Sequence, residues 1–344
     1  MAFGALMLED IRAQPGVLRA LAGHADEYEA VAQEAASRGV TTVRLVAHGS
    51  SDNAASFGVY AFGLGRAWTA FRDSISLHVY YGAAVDVSGS CVVALSQSGQ
   101  TRDVVAYVER ARTRGAYTVA VTNDPVSPLA RAAEATLPLA AGTERAIAAT
   151  RTYIAQIAAL ALLAGGPAYA EGIRELAGLI EAELPRLEQA SEDTALLLEP
   201  AERLFVIGRG TEFATARELS LKLLETCRVG AQPLTATDLV HGPVAAAGER
   251  FPVWAIAADD ANLPTVTEAV SRAAAAGAPV VATGPAAAGI AGATRRIPLP
   301  PAPLPLLGPA LSIVPGQLFA RALALARGLD PDAPAGLTKV TLAP

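Results

Sequence analysis

The sequence predicts an α/β protein built from two tandem doubly wound parallel sheets, with helices before them and a tail after them. Short apolar runs alternate with stretches of helical periodicity, which is typical of parallel strands covered by helices on both faces. This alternation occurs twice along 344 residues, a length that suits two domains. Small and hydroxyl-bearing residues follow the early strands, where doubly wound sheets bind ligands.

The first half of the chain contains the first copy of this pattern. Residues 1–38 are predicted to form helices, because apolar side chains recur there at helical spacing. Residues 39–165 are predicted to form the first α/β domain. Its strands are expected at 43–47, 91–95, 118–121 and 136–139.

The second half repeats the order. Helices over 166–198 are expected to link the copies, the second α/β domain is expected over 199–328, and a tail over 329–344. The second set of strands is expected at 203–207, 253–256, 279–283 and 296–300. The common strand order of such folds, 2-1-3-4-5 (flavodoxin-like), places a ligand crevice between strands one and three.

Composition excludes several classes of function. The net charge of −6 without a basic cluster argues against nucleic acid as a partner. The apolar run 154–165 is too short to span a membrane, and no cleavable leader is expected, so we expect a cytoplasmic protein. Cys91 and Cys227 lie in apolar or helical patterns without metal-ligand spacing, so we expect buried free thiols, no metal and no cofactor.

Lysine is almost absent from the chain. Of 27 basic residues, Lys222 and Lys339 are the two lysines, and all others are arginine. Arginine matches the charge of lysine, but it cannot supply a neutral primary amine for imine chemistry. The two lysines are therefore either functional amines or chance survivors on the surface.

A hydroxyl-rich turn in the first copy is a candidate phosphate site. The segment 96–101 (Ser-Gln-Ser-Gly-Gln-Thr) follows the second predicted strand and opens a helix, so its N–H groups, with the hydroxyls of Ser96, Ser98 and Thr101, can hold a phosphate. The turn 48–53 follows the first strand. An ordinary helix cap is the alternative interpretation. In the second copy, the turn 257–260 carries two aspartates and would repel phosphate.

The second copy offers groups that can move protons. Lys222 and Glu225 lie three residues apart on a predicted helix and share one face, and His241 follows in a turn before Gly-Pro. A carboxylate, a histidine and a lysine can together catalyse an aldose–ketose isomerisation. A surface ion pair and a structural histidine are the alternatives.

These residues together resemble the sugar isomerase (SIS) family, in particular the isomerase half of glutamine–fructose-6-phosphate aminotransferase and stand-alone glucosamine-6-phosphate deaminases. The family's Cys-Gly-Thr-Ser turn is similar to 48–51, and its Ser-Gln-Ser-Gly-Glu-Thr motif to 96–101. Further similarities are Gly-Arg-Gly-Thr at 208–211, Leu-Lys-Leu-Leu-Glu at 221–225, His-Gly-Pro at 241–243 and the Asp-x-Pro…Leu-x-Lys tail at 332–339.

The resemblance implies a role for each candidate residue. Glu225 would move the proton between C1 and C2, His241 would assist ring opening from the partner subunit of a homodimer, Lys339 would form an imine with the open-chain ketose, and Lys222 would support the carboxylate. The sugar phosphate, a hexose 6-phosphate or amino-sugar 6-phosphate, would be bound by Gly49, Ser50, Ser51, Ser96, Gln97, Ser98, Thr101 and Ile147.

The chain departs from the family at residues 148–151, which read Ala-Ala-Thr-Arg instead of Ala-Ser-Thr-Lys. No glutaminase sequence precedes the repeats, and residue 2 is alanine instead of the cysteine nucleophile, so glutamine-driven synthesis is not expected of this chain. We expect glucosamine 6-phosphate to be deaminated and isomerised to fructose 6-phosphate and ammonia. The alternatives are a fructosamine-6-phosphate deglycase, the isomerase subunit of an aminotransferase, and a non-catalytic sugar-phosphate sensor.

Overall fold

The computed structural model describes residues 2–339. Within these residues, ten strands form two parallel sheets of five strands each. The strands are β1 (Thr42–Val46), β2 (Thr69–Arg72), β3 (Ser90–Ser96), β4 (Tyr117–Thr122), β5 (Ala135–Pro138), β6 (Arg203–Gly208), β7 (Gly230–Thr235), β8 (Val253–Ile256), β9 (Val280–Gly284) and β10 (Arg295–Pro298).

Thirteen α-helices lie in the same part of the chain. They are α1 (Ala5–Arg12), α2 (Gln14–Ala22), α3 (Ala25–Ser37), α4 (Gly49–Arg66), α5 (Ile75–Val79), α6 (Arg102–Thr113), α7 (Pro128–Ala132), α8 (Arg151–Gly165), α9 (Tyr169–Leu198), α10 (Phe213–Cys227), α11 (Ala236–Val240), α12 (Leu263–Ala275) and α13 (Gly308–Ala326).

Both sheets have the predicted doubly wound topology. The first has the order β2-β1-β3-β4-β5, and the second has the order β7-β6-β8-β9-β10 when read from the matching edge. Every strand pair is parallel, with β1 paired to β3 from Thr42↔Ser90 to Val46↔Ala94. The predicted α/β class and the duplicated flavodoxin-like sheet are therefore confirmed.

The chain divides into two compact units. The first-sheet unit comprises Gly16–Glu144, Arg151–Glu175 and the chain from Thr338, and the second-sheet unit comprises the chain up to Pro15, Arg145–Thr150 and Leu176–Leu337. Each unit has its own apolar core on its sheet: one packs β3 and β4 against α6, and the other packs β8 and β9 against α12. Strands β3, β4, β8 and β9 are buried along their whole length, because helices cover both faces of a doubly wound sheet.

Two edge strands are absent from the sequence prediction. β2 pairs with β1 alone and is exposed or half-buried along its length, so it carries no apolar run. β7 pairs with β6 alone and contains Pro233, which a sheet tolerates at an edge because proline cannot donate a ladder hydrogen bond. Neither β2 nor β7 has the apolar run by which the buried strands of the sheets were identified.

One helical stretch of the described residues, Pro305–Ala326, is long and apolar enough to cross a membrane. Of its most apolar window, 83% is buried inside the protein, and α13 packs against α10 within the second-sheet unit. Core packing accounts for this apolarity, because a helix that is hydrophobic on all sides can be a core helix.

Candidate active site

The predicted turn after β1 is the first turn of a helix. α4 begins at Gly49, which has a left-handed φ of 57°, so Ser50 and Ser51 lie on the helix instead of in a turn. Ser51 Oγ accepts a hydrogen bond of 2.8 Å from the Gln156 side-chain amide on α8. The helix end therefore presents half-buried hydroxyls beyond the carboxyl end of β1.

The segment after β3 is a closed loop that ends on α6. Ser96 Oγ accepts from the Gly99 N–H at 3.2 Å and lies 3.3 Å from Thr101 Oγ1. Ser98 Oγ accepts from the Gln100 N–H at 3.3 Å. These bonds fold the loop over the N-terminus of α6, which starts after Thr101. Since β1 and β3 are neighbours, both predicted loops lie at the crevice of the first sheet.

Gly99 cannot be replaced without moving this loop. Its φ is 61°, and a Cβ at this position would lie 2.1 Å from Ser127 Oγ. The Gly99 carbonyl also accepts from the Leu129 N–H at 3.0 Å. The loop is therefore held against the start of α7 by a close approach that glycine permits.

His48 connects the two loops. Its Nε2 lies 2.7 Å from Asp103 Oδ2, in the first turn of α6. The histidine is exposed, with 55% of its side chain open to solvent. The contact joins the segment after β1 to the helix that follows β3.

The tail lysine contacts a buried carboxylate in the first-sheet unit. Lys339 Nζ donates to Glu144 Oε2 at 2.8 Å. The Glu144 side chain is fully buried, and it also accepts from the Thr152 N–H at 3.1 Å and from Thr152 Oγ1 at 2.9 Å. Lys339 keeps 27% of its side chain exposed, so one of the two lysines is partly open to solvent and its amine is paired with an acid.

The other lysine is buried in the second-sheet unit. Lys222 on α10 is completely buried, with its Nζ 2.6 Å from Glu225 Oε2 and 3.5 Å from Glu218 Oε1. Glu218 is equally buried, whereas Glu225 keeps 25% of its side chain exposed. The predicted shared face of Lys222 and Glu225 is confirmed, and its burial excludes the surface ion pair considered above.

Glu225 lines a cavity of about 480 Å³ within the second-sheet unit. The end of α10, Phe3 and residues from the segment 328–337 form its wall. The volume lies within the range of small-ligand sites. The segment is anchored by Asp332, whose carboxylate accepts from the Met7 N–H at 2.7 Å and the Leu6 N–H at 3.0 Å.

The remaining predicted residues lie in other surroundings. His241 is exposed directly after α11 and closes its last turn through its backbone N–H. The half-buried Ile147 donates its N–H to the Asp332 carbonyl at 3.1 Å, so it contacts the start of the tail. Val340–Pro344, the end of the predicted tail, lie outside the described residues.

Another buried acid lies just beyond the end of β6. Glu212 is buried, and burial raises the pKa of its carboxyl from 4.5 to about 7. Thr215 Oγ1 at 2.7 Å and Ser312 Oγ at 3.0 Å donate to it, which limits the rise. Asp260, in the acidic turn after β8, adds to the rise.

The sequence interpretation did not identify Glu144, Glu218 or Glu212. Glu144 is an acid inside a run of small and apolar residues, and Glu218 lies one turn before Lys222 on the same helix face. Both signals are visible in the sequence, but their significance depends on burial. Within residues 2–339, no three His, Cys, Asp or Glu side chains form a group that could hold a metal ion. Both cysteines are buried free thiols, as expected, and burial raises their pKa to about 12 at Cys91 and about 11 at Cys227.

Comparison with known proteins places this arrangement in a family. The family model described as "SIS domain" matches residues 41–165 and 197–327. Glutamine–fructose-6-phosphate aminotransferase [isomerizing] of Symbiobacterium thermophilum is 34% identical over 361 residues, a match that covers 97% of this chain and 58% of the relative. The chain thus spans somewhat more than half the length of this curated relative.

Two solved structures share the fold. One, described as a phosphosugar isomerase of Silicibacter pomeroyi DSS-3, is 31% identical with a TM-score of 0.84, over 95% of this chain and 99% of that one. The glucosamine-6-phosphate deaminase of Thermotoga maritima is 19% identical with a TM-score of 0.79, over 98% and 100%. The resemblance drawn from the motifs is confirmed, and the chain belongs to the SIS-domain family.

Proposed function

We propose that this chain is a phosphosugar isomerase that moves a proton between C1 and C2 of a hexose 6-phosphate. The Lys222–Glu225 pair is the observation that carries the proposal. Its buried ammonium lies 2.6 Å from a carboxylate that reaches a cavity of ligand size. Burying an ammonium is costly unless it is paired. Lys222 fixes one oxygen of the Glu225 carboxylate, while the Glu225 side chain remains partly accessible.

The relatives support the reaction class. The aminotransferase of S. thermophilum carries the word "isomerizing" in its name, and the S. pomeroyi protein, which is covered almost completely, is described as a phosphosugar isomerase. A shared site for a hexose phosphate is the simplest common feature of these names.

We assign a role in this reaction to each predicted residue. The loop 96–101 would bind the phosphate through its hydroxyls and the N-terminus of α6, and Gly49, Ser50, Ser51 and Ile147 would contact the sugar. Glu225 would transfer the proton, supported by Lys222. His241 would assist ring opening, and its exposed position is compatible with a role across the interface of a proposed homodimer.

The finer proposal is that an amino-sugar phosphate is deaminated. Glu225 would take the proton from C2 of open-chain glucosamine 6-phosphate and return it to C1, which leaves an imine at C2. The Lys339 amine would add to C2 and displace ammonia, and water would then hydrolyse the lysine imine to release fructose 6-phosphate. The partly exposed side chain of Lys339 supports this role, as does the fold shared with the T. maritima deaminase.

Substitution of Glu225 by glutamine tests the proton transfer. Glu225→Gln keeps the shape but removes the base, so turnover should fall by roughly 10²–10⁴-fold with little change in KM. Exchange of a C1 proton of fructose 6-phosphate with deuterated water, followed by NMR, measures the step directly.

Glu268→Gln is the matched control for this experiment. Glu268 lies on α12, pairs with Arg272 at 2.7 Å and keeps 53% of its side chain exposed. The control should exchange at the parental rate. Near-normal exchange by Glu225→Gln would remove Glu225 from the mechanism.

Substitution of Lys339 by arginine tests the imine. Lys339→Arg keeps the charge and approximate bulk, but a guanidinium is not a usable nucleophile at neutral pH. Borohydride added during turnover should attach the sugar to Lys339 in the parent enzyme and to nothing on the tail in the variant, as mass spectrometry can show. Substantial deaminase activity of Lys339→Arg would show instead that Lys339 acts through its charge.

A panel of sugar phosphates separates the alternatives. Glucosamine 6-phosphate should release ammonia and fructose 6-phosphate, whereas a deglycase would act on fructosamine 6-phosphates. A sensor would bind hexose 6-phosphates without turnover. Isomerisation without ammonia release would retain the reaction class and reject the deamination.

A further inference from the structure

We propose that Glu144 is a positioning residue for Lys339: it holds the tail amine as an ammonium between turnovers and so fixes the starting position of that amine. This inference rests on the proposed function, in which the Lys339 amine attacks C2. Three observations carry it: the 2.8 Å contact, the complete burial of the carboxylate and the way the carboxylate is itself held.

The Glu144 carboxylate has a rigid support. Its Oε1 accepts from the Thr152 N–H at 3.1 Å and its Oε2 accepts from Thr152 Oγ1 at 2.9 Å, at the start of α8. The N-terminus of a helix stabilises negative charge. α8 itself is buried over nearly its whole length. Because a core helix holds the Glu144 carboxylate in place, the carboxylate can bind the Lys339 amine in one defined position.

The charge of Glu144 needs a cation. A buried carboxylate that lacks a compensating charge is expensive, and charge-assisted hydrogen bonds are stronger than neutral ones. Lys339 supplies an ammonium at 2.8 Å, although it lies 195 residues away in the chain. Fixing a long lysine side chain costs conformational entropy, and this charge-assisted contact offsets that cost.

The contact also sets a condition on the chemistry. An ammonium is not a nucleophile, so the amine must give up its proton and leave Glu144 before it forms a bond to C2. Glu144 can accept that proton, since its Oε2 lies 2.8 Å from Lys339 Nζ. Lys339 would thus start each turnover from one defined position, which is the advantage of a preorganised reactant.

Two variants separate positioning of Lys339 from support of α8. Glu144→Gln removes the charge that holds Lys339, whereas Thr152→Val removes the hydroxyl contact on α8 and leaves the carboxylate. Glu144→Gln should lower the rate of borohydride trapping at Lys339 by about tenfold or more. Thr152→Val keeps the charge of Glu144 and the Thr152 N–H bond to its Oε1, so trapping should stay within about threefold of the parent. Equal losses in both variants would mean that Glu144 acts through α8, and would overturn the proposal.

Trypsin cleavage after Lys339 provides a readout that is independent of catalysis. The docked lysine should be protected in the parent and in Thr152→Val, and cleaved several-fold faster in Glu144→Gln. Glu144→Asp, which keeps the charge but shortens the side chain, should give intermediate protection and trapping if Glu144→Gln does not fold. Unchanged cleavage and trapping in the Glu144 variants would overturn the proposal.

The same measurements distinguish this proposal from the proposed function. If the parent shows Glu144-dependent protection of Lys339 but no borohydride adduct, the positioning contact exists and the imine role is wrong. If the parent is trapped and Glu144→Gln is trapped equally fast, the imine stands and the positioning role is wrong.

Discussion

The two lysines occupy different environments, and the roles proposed for them rest on this difference. Lys222 is fully buried between two carboxylates of its own helix, whereas 27% of the Lys339 side chain is exposed and its amine contacts one buried acid. A fully buried ammonium paired on both sides supports its neighbours, and a partly exposed amine on a tail can reach a substrate. Arginine could not replace either group simply, because its planar fork differs in shape and chemistry from a compact ammonium.

Glu212 gives the protein a pH dependence of stability. Its folded-state pKa of about 7 lies above the ordinary 4.5 because the group is buried. Between these values the folded state binds more protons than the unfolded state, so stability falls as pH rises from about 4.5 to about 7, and the loss is complete above that window. Glu212→Gln should flatten this slope and raise the free energy of unfolding at pH 8 by on the order of 3 kcal/mol.

Thermal denaturation across pH 4–8 measures this effect. The exposed Glu268→Gln variant, matched in chemistry, should keep the parental slope. A Glu212→Gln slope identical to that of the parent would show that Glu212 carries no raised pKa.

At the scale of elements, the loop 96–101 depends on its approach to α7. The Gln97 carbonyl accepts from the Asn123 N–H at 3.1 Å, and the Gly99 carbonyl accepts from the Leu129 N–H at 3.0 Å. The loop is thus fixed on the segment that follows β4 as well as on its own hydroxyls. Such support would preorganise the loop for a ligand, because the loop would lose little conformational freedom on binding.

Gly99→Ala should therefore damage both stability and phosphate binding. A left-handed φ costs an alanine about 1–2 kcal/mol, and the Cβ at 2.1 Å from Ser127 Oγ forces the loop to move. Gly39→Ala is the matched control, since Gly39 has a φ of 75° with no atom within 4 Å of the added Cβ.

Denaturant melts and hexose 6-phosphate titrations follow the two effects. Gly39→Ala should lose stability and retain affinity, whereas Gly99→Ala should lose both. Parental affinity in Gly99→Ala would contradict the assignment of phosphate binding to this loop.

At the scale of the whole molecule, two sheets of one topology have diverged in chemistry. β3 and β8 occupy the same place in their sheets. The loop after β3 carries hydroxyls, whereas the turn after β8 carries Asp259 and Asp260. Carboxylates at this position repel a phosphate, so we expect phosphate binding at the first sheet only.

Two substitutions at corresponding positions test this asymmetry. Ser98→Asp places a charge against the phosphate and should abolish binding of hexose 6-phosphates. Ala258→Asp, in the turn after β8, adds the same charge to the other sheet and should leave affinity unchanged. Calorimetric titration with a hexose 6-phosphate measures the affinity of both variants. Retained affinity in Ser98→Asp would show that the phosphate does not bind at the loop 96–101.

Local patterns in the sequence were sufficient for the class of fold and the duplication, and they singled out several candidate site residues. Apolar runs, helical periodicity and turn chemistry depend on neighbouring residues, so they indicated the buried strands, the shared face of Lys222 and Glu225, and the loop 96–101. The residue roles and the domain boundaries drawn from these patterns stay predictions.

The tertiary structure decided what depends on distant residues. The edge strands β2 and β7 have no buried pattern, and they are strands because a neighbouring strand pairs with them. The burial of Lys222 and the contact of Lys339 with Glu144, 195 residues apart, follow from packing of segments far apart in the chain. The energy of a charged side chain depends on its burial and on its partners from distant segments. A local pattern of residues specifies neither.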